Sequence, residues 1–180
     1  MRCLIPRLSS PPHLQTLIMF LEYRVWADRL TYDALLKLPQ SEIVKPRQTT
    51  FSTLLGTLNH VYVVDDIFRH HLQGQDHGYR SRQTDEVPDL EALWQATQSM
   101  HQWYLNAVMQ WSVDDLSCPI SFTYVDGQPG VMTREQIILH VVNHATYHRG
   151  FVGDMLKQIP ESWPSNDLTV FLRDEYQRSV

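Results

Sequence analysis

The sequence predicts an all-α protein, a four-helix bundle with a small β-hairpin between its third and fourth long helices. Three observations lead there. Four stretches repeat apolar residues at helical spacing. Capping or breaking residues bound these stretches. The segment CPISFTYVDGQPGVM reads as two short apolar pieces around Asp126-Gly127. A chain of 180 residues suits one domain with a real core, here placed over residues 14–158.

Each element follows in order. Ser10-Pro11-Pro12 opens the first helix, with Ser10 as N-cap and Pro11 in the first turn. Leu14, Leu17, Ile18, Leu21, Val25, Tyr32, Leu35 and Leu36 form its stripe, and Pro39 sets an end near Leu38. The second helix runs from Phe51 or Ser52 to Gln73, stopped by Gly74. One strip carries Phe51, Leu54, Leu58, Val61, Phe68 and Leu72; the other carries Gly56, His60, Val63, Val64 and Ile67. A helix apolar on two sides packs between others. Residues 74–88 form a polar surface connection, after which Asp89 caps the third helix. Its inner face is Leu90, Leu93, Trp94, Thr97, Met100, Tyr104 and Val108. The hairpin starts with Phe122 to Val125 and turns at Asp126-Gly127. Thr133 to Gln136 opens the fourth helix as a capping box, and it ends near Lys157 or Gln158, before Pro160. A short helix over 167–178 packs through Leu168, Phe171 and Leu172.

Composition removes several classes of function. A net charge of −5 without a basic stripe argues against a nucleic-acid partner. Cys3 and Cys118 cannot build a disulfide framework or a thiolate zinc site, a usage that fits a reducing cytoplasm. Cys118, beside Pro119, is expected to pack as a small apolar residue. The N-terminus MRCLIPRLSSPPH lacks the apolar core of a signal peptide, and no stretch is long enough to span a bilayer. A soluble, cytoplasmic protein without a membrane partner is the expectation.

The histidines carry the chemistry. His144 and His148 are four residues apart, so they leave one helix face about one turn apart. Ile137, Val141, Val152 and Met155 share that face, which directs the pair toward the core. Two imidazoles in an apolar setting are costly without partners, and a metal ion removes the cost. Without one, they read as two hydrogen-bonded histidines at a partly open face. His60, one turn after Gly56 on the second strip, completes a set of three nitrogen ligands. Gly56 there permits close approach of another helix. Three ligands leave a coordination position open, the arrangement of catalytic metal sites.

The remaining candidates rank lower. His101 falls near the inner face of the third helix and is the substitute ligand for His60. His140, one turn before His144, is a group beside the metal, a substrate-facing group or a boundary histidine. His71 lies about 16 Å beyond His60 along the helix and cannot share its ion. His70 and His77 read as solvated. Asp65 is rotated roughly 140° from His60 and is better suited to pair with a basic residue of another helix.

These residues resemble the DinB family, also called DinB/YfiT-like. EYRVWADRL from Glu22 is similar to its first-helix pattern, GTLNHVYVVD from Gly56 to its second, Met132 to Gln136 to its helix-opening pattern, and HVVNHATYHRG from His140 to its fourth-helix signature. The resemblance implies an up-down-down-up four-helix bundle, commonly a homodimer, with a metal held by His60, His144 and His148. It departs at Tyr147, where many members carry a further histidine. It implies either small-thiol-dependent transferases, using bacillithiol or mycothiol, or metal-dependent hydrolases.

The expected function is therefore a metal-dependent enzyme acting on a small-molecule substrate. Its one divalent ion, zinc or nickel first among those that suit nitrogen ligands, lowers the pKa of bound water or holds a low-molecular-weight thiol as thiolate. Tyr147, His140, Arg149 and Glu135 could serve nearby, with no catalytic base assigned. The alternatives are a non-catalytic metal- or ligand-binding dimer, favoured by an exposed aromatic patch that includes tryptophans, and a purely structural bundle.

Overall fold

The computed structural model describes residues 12–160 and 163–176. In chain order its elements are α1 (Pro12–Leu35), α2 (Gln40–Ile43), α3 (Leu54–Gln73), α4 (Leu90–Gln110), α5 (Val113–Ser117), β1 (Pro119–Thr123), β2 (Pro129–Thr133), α6 (Arg134–Leu156) and α7 (Leu168–Phe171). A π-helical turn, Leu172–Tyr176, follows α7. The protein is mostly helical with one antiparallel two-stranded sheet.

The caps expected from the sequence form. Asp89 accepts from the backbone N–H of Ala92, and Thr133 with Gln136 closes a capping box at α6. Gly74 ends α3 in the left-handed region at φ 66°, as a C-terminal glycine does. Boundaries move where local chemistry intervenes. Helix α1 stops at Leu35 rather than near Leu38, and the expected Ser10 and Pro11 start lies outside the described residues. Helix α3 starts at Leu54, not Phe51, because Ser52 sits at φ 60° and Thr53 takes the N-cap. The strands begin earlier than expected, at Pro119, so Tyr124 and Val125 fall in the turn. Helix α5 was not foreseen, although Ser112 and Asp115 form its capping box. Cys118 does not pack inside: it is exposed, because the chain there leaves α5 for the edge of the hairpin. In the tail, Phe171 is buried against Tyr23 and Trp26 of α1, while residues 177–178 of the expected helix lie outside the described chain.

The long helices contact one another in a closed ring, α1 with α4 and α6, and α3 with the same two. Their contacts show how they run. Arg24 meets Val141 and Asp28 meets Arg149, so α1 and α6 rise together. Asp28 meets His101 and Tyr32 meets Thr97, so α1 and α4 oppose each other. His60 faces His144 while Phe68 faces His140, so α3 and α6 also oppose each other. All seven inner-face residues expected on α4 are buried.

The apolar core is divided into two main halves. One gathers Leu17, Leu21, Val64, Met100, Ile137 and Val141. The other gathers Leu35, Leu54, Leu58, Leu93, Val152 and Met155. Between them lies a buried polar layer that no apolar periodicity announces. Arg24, 1% exposed, donates through Nη1 to Asp65 Oδ1 at 3.1 Å and to the Val141 carbonyl at 3.2 Å, and through Nη2 to Asp65 Oδ2. Asp28 accepts from His101 Nε2 and from Arg149 Nη1, each at 2.9 Å. Tyr104 donates its hydroxyl to the Asp65 carbonyl at 2.7 Å. Burial disfavours charge on Asp28, yet Arg149, His101 and Arg24 hold its carboxyl below the usual carboxylate range. Burial likewise opposes charge on Arg24, and Asp65 and Asp28 outweigh it.

Removing one member of such a pair strands a buried charge and costs roughly 3–5 kcal/mol, whereas replacing both with apolar groups is far milder. Asp65→Leu is therefore expected to lose about that much stability in urea unfolding, and Arg24→Met/Asp65→Leu to recover most of it. A double variant as unstable as the single one contradicts this account.

Candidate metal centre

The site begins with the entry to α3. Thr53 accepts from the Gly56 N–H at 2.9 Å, and the Thr53 N–H donates to the Phe51 carbonyl at 2.7 Å. That carbonyl lies so close to α3 that a Cβ on Gly56 would sit 2.7 Å from it. Gly56 thus admits the backbone of its own leader segment, not another helix. The consequence is that Phe51 folds over α3 and its ring stacks on His60, 4.1 Å between centroids and 19° from parallel.

From the α3–α6 seam, His60, His144 and His148 converge. One ring nitrogen from each lies within 4.8 Å of the others, a group that could hold a metal ion. Two bonds of about 2.1 Å span at most about 4.2 Å, so small side-chain rotations bring all three onto one ion. The Nε2 atoms of His60 and His144 are already 3.2 Å apart, close to the roughly 3.4 Å between two tetrahedral ligands at that bond length.

The proton on His60 can be placed. Its Nδ1 is 2.9 Å from the Arg82 carbonyl, which only accepts, so Nδ1 carries the hydrogen and Nε2 presents a lone pair to the seam. This is the arrangement of a metal-binding imidazole oriented by a backbone carbonyl. Nδ1 of both His144 and His148 is buried without a hydrogen-bond partner. Burial, followed by its neighbours His148, His60 and His140, pushes His144 down to about 2. Burial, then His60, lowers His148 to about 4, and burial lowers His60 as well. All three stay neutral near pH 7, so no imidazolium charge opposes a cation, and the His144 Nε2–H donates to His60 Nε2 in the absence of one. Buried nitrogens short of partners and a set of neutral imidazoles fit a divalent ion.

The other candidates are sorted by what they touch. His101, the substitute ligand, is committed to Asp28 in the polar layer. Asp65 faces Arg24 of another helix, as its rotation from His60 implied. His140 stacks on His144 at 5.5 Å and meets Phe68 at 4.6 Å with the rings tilted by 55°, beside the centre but outside the group of three. His71 is buried against Phe122 at 4.5 Å, next to the hairpin. His70 and His77 are half-buried rather than solvated, because His70 bonds the Asp66 carbonyl and His77 packs on His71. Arg149 is occupied by Asp28 and the Tyr23 hydroxyl, and Glu135 pairs with His13. Tyr147 is 62% exposed and meets His148 edge-on at 5.1 Å. None of the described tryptophans is exposed. Two contributors escaped sequence reasoning. Phe51 is expected on the helix strip opposite His60 but precedes α3 and stacks on that ring instead, and the Arg82 contact is a backbone carbonyl, which has no residue-type signal.

A mostly helical protein in which two opposed helices present three histidines able to hold a metal ion is the class that fold and site define. The chain belongs to the DinB family, whose model matches residues 13–179. It is similar to Protein DinB of Bacillus subtilis (strain 168), 25% identical over 159 residues that cover 84% of this chain and 90% of the relative. It also resembles the crystal structure of a DinB-like protein from Bacillus cereus, with a TM-score of 0.61 at 18% identity, over 81% of this chain and 94% of the other. That likeness concerns the fold.

A methyl group at residue 56 must displace the Phe51 backbone. Gly56→Ala is expected to lower stability by about 1–3 kcal/mol, measured by denaturant unfolding in the presence of a chelator so that metal binding does not enter. Unchanged stability would show that the leader segment moves aside freely.

Proposed function

We propose that His60, His144 and His148 bind one divalent metal ion, zinc or nickel foremost, and that the chain is a metal-dependent enzyme, a hydrolase or a small-thiol-dependent S-transferase, acting on a small-molecule substrate. The observation that carries the reading is the convergence of three neutral ring nitrogens within 4.8 Å. An ion on three imidazoles supplies Lewis acidity with a position open to a reacting group. The chain's own residues hold and orient that centre. The Arg82 carbonyl fixes the His60 tautomer, Phe51 fixes its ring plane, and the contacts of Arg149 fix the helix turn that carries His148. Among the described residues no nucleophilic cysteine stands beside the histidines, since Cys118 sits at the hairpin, which favours water or an external thiol as the attacking group.

The same reading includes an up-down-down-up four-helix bundle, supported by the parallel pairing of α1 with α6 and the opposed pairing of α3 with α6. It takes the working form to be a cytoplasmic homodimer. No helix among the described residues is long and apolar enough to cross a membrane.

Protein purified without a metal-affinity tag is expected to contain about one ion per chain by elemental analysis, and His144→Ala/His148→Ala to contain none. Stoichiometric metal in that double variant rejects the ligand set. Turnover of electrophiles measured with and without a panel of small thiols then divides the two reactions. Activity that needs a thiol supports the transferase, and equal activity without one supports the hydrolase.

A further inference from the structure

Aromatic rings stand beside two of the three imidazoles, His60 and His148. Phe51 covers His60 and meets His148 edge-on at 5.5 Å. Tyr147 meets the same ring at 5.1 Å, and Phe151 lies 5.6 Å from it and 4.9 Å from Tyr147. Three aromatic rings therefore surround one of the three histidines. Their exposure is uneven: Phe51 and Phe151 are half-buried, whereas Tyr147 is 62% exposed.

The helix period brings Tyr147 and Phe151 beside His148, one position before it and three after it on α6, but it does not account for Phe51. Phe51 precedes α3 and reaches His60 through a backbone that places Ser52, a non-glycine, at φ 60°. Such a residue costs on the order of 1–3 kcal/mol and is held only where its surroundings enforce it. Tyr147 occupies an exposed helix position where a polar residue would do for solubility, and its ring instead meets His148 and Phe151. Flat π-faces and edges at this spacing suit another ring, by offset or edge-to-face contact.

We propose that the substrate carries a planar aromatic group that seats against the rings around His148 while its reacting atom meets the three-histidine centre. This rests on the metal reading above and adds the class of substrate. Phe51, Tyr147 and Phe151 are its specificity-determining residues; they recognise the substrate without ligating the ion.

Two probes with one metal-binding headgroup test this: acetohydroxamate, which bears a methyl, and benzohydroxamate, which bears a phenyl. Zinc-reconstituted protein, its metal content measured first, is titrated with each by calorimetry. Benzohydroxamate is expected to bind about tenfold or more tightly than acetohydroxamate, the scale of one aromatic contact plus partial ring burial. Tyr147→Ser and Phe151→Ala are expected to retain one zinc per chain and to reduce that ratio severalfold. Equal affinity for the two probes in the metal-loaded parent protein overturns the proposal, as does a ratio unchanged in both variants. Tyr147→Ser that alters oligomeric state in light scattering while preserving the ratio assigns the ring to a contact between copies and also overturns it. Failure to take up zinc, seen before any hydroxamate is added, rejects the metal reading and this proposal with it. Equal affinity for the two probes in the zinc-loaded parent protein rejects this proposal alone.

Discussion

Arg24 sets the frame on which the rest of the structure depends. Its guanidinium, from the middle of α1, reaches Asp65 on α3 and the Val141 carbonyl on α6, while Asp28 one turn later reaches His101 on α4 and Arg149 on α6. Two arginines face two aspartates, so the layer is near neutrality, and each charge has a partner with hydrogen-bond geometry. That is the condition under which burying ions between two apolar halves is tolerable. The layer also fixes height. A slip of any long helix by one turn, about 5.4 Å, would break several of these contacts at once.

The same layer turns the histidines toward one another. Successive residues on a helix are rotated by about 100°, so drawing Arg149 inward to Asp28 and Tyr23 swings His148 round to the α3 side. Asp65 is held toward Arg24, and His60, five residues earlier and roughly 140° round, is thereby aimed at α6. The three-histidine group is the outer consequence of an inner ionic clamp. Its members are brought close by charges that none of them touches through a hydrogen bond.

This explains which parts were legible in the sequence. The long helices, their caps and the inner face of α4 follow from apolar spacing and capping residues, both local properties. His144 and His148 follow from one helical turn. The choice of His60 over His101 does not, since both lie on inward faces; what separates them is Asp28, a carboxylate two helices away in the chain that claims His101. Arg24 and Asp28 themselves break the apolar period of α1, so a reading built on hydrophobic stripes passes over them. Asp65 was placed correctly because rotation about a helix axis is a local fact, but its partner on α1 is a tertiary one. Gly56 was recognised as a point of close approach, and the approaching group was misassigned because the sequence does not show that Ser52 turns the leader back over α3.

The contrast between the two polar groups bears on function. In the inner layer Arg24, Asp28, Asp65, His101 and Arg149 all find partners, and the arrangement explains its own presence by the helices it joins. At the α3–α6 seam, two imidazoles keep a buried Nδ1 without a partner. An unmade hydrogen bond of this kind costs about 1–3 kcal/mol, and two apolar residues would remove the cost. The other described buried side-chain nitrogens without a partner are Asn59 Nδ2, His71 Nε2 and Arg134 Nε, so the three-histidine group holds two of the five. Neutral imidazoles whose ring nitrogens lie within 4.8 Å of one another could hold a cation, and the rings of Phe51, Tyr147 and Phe151 stand beside His148 in that group.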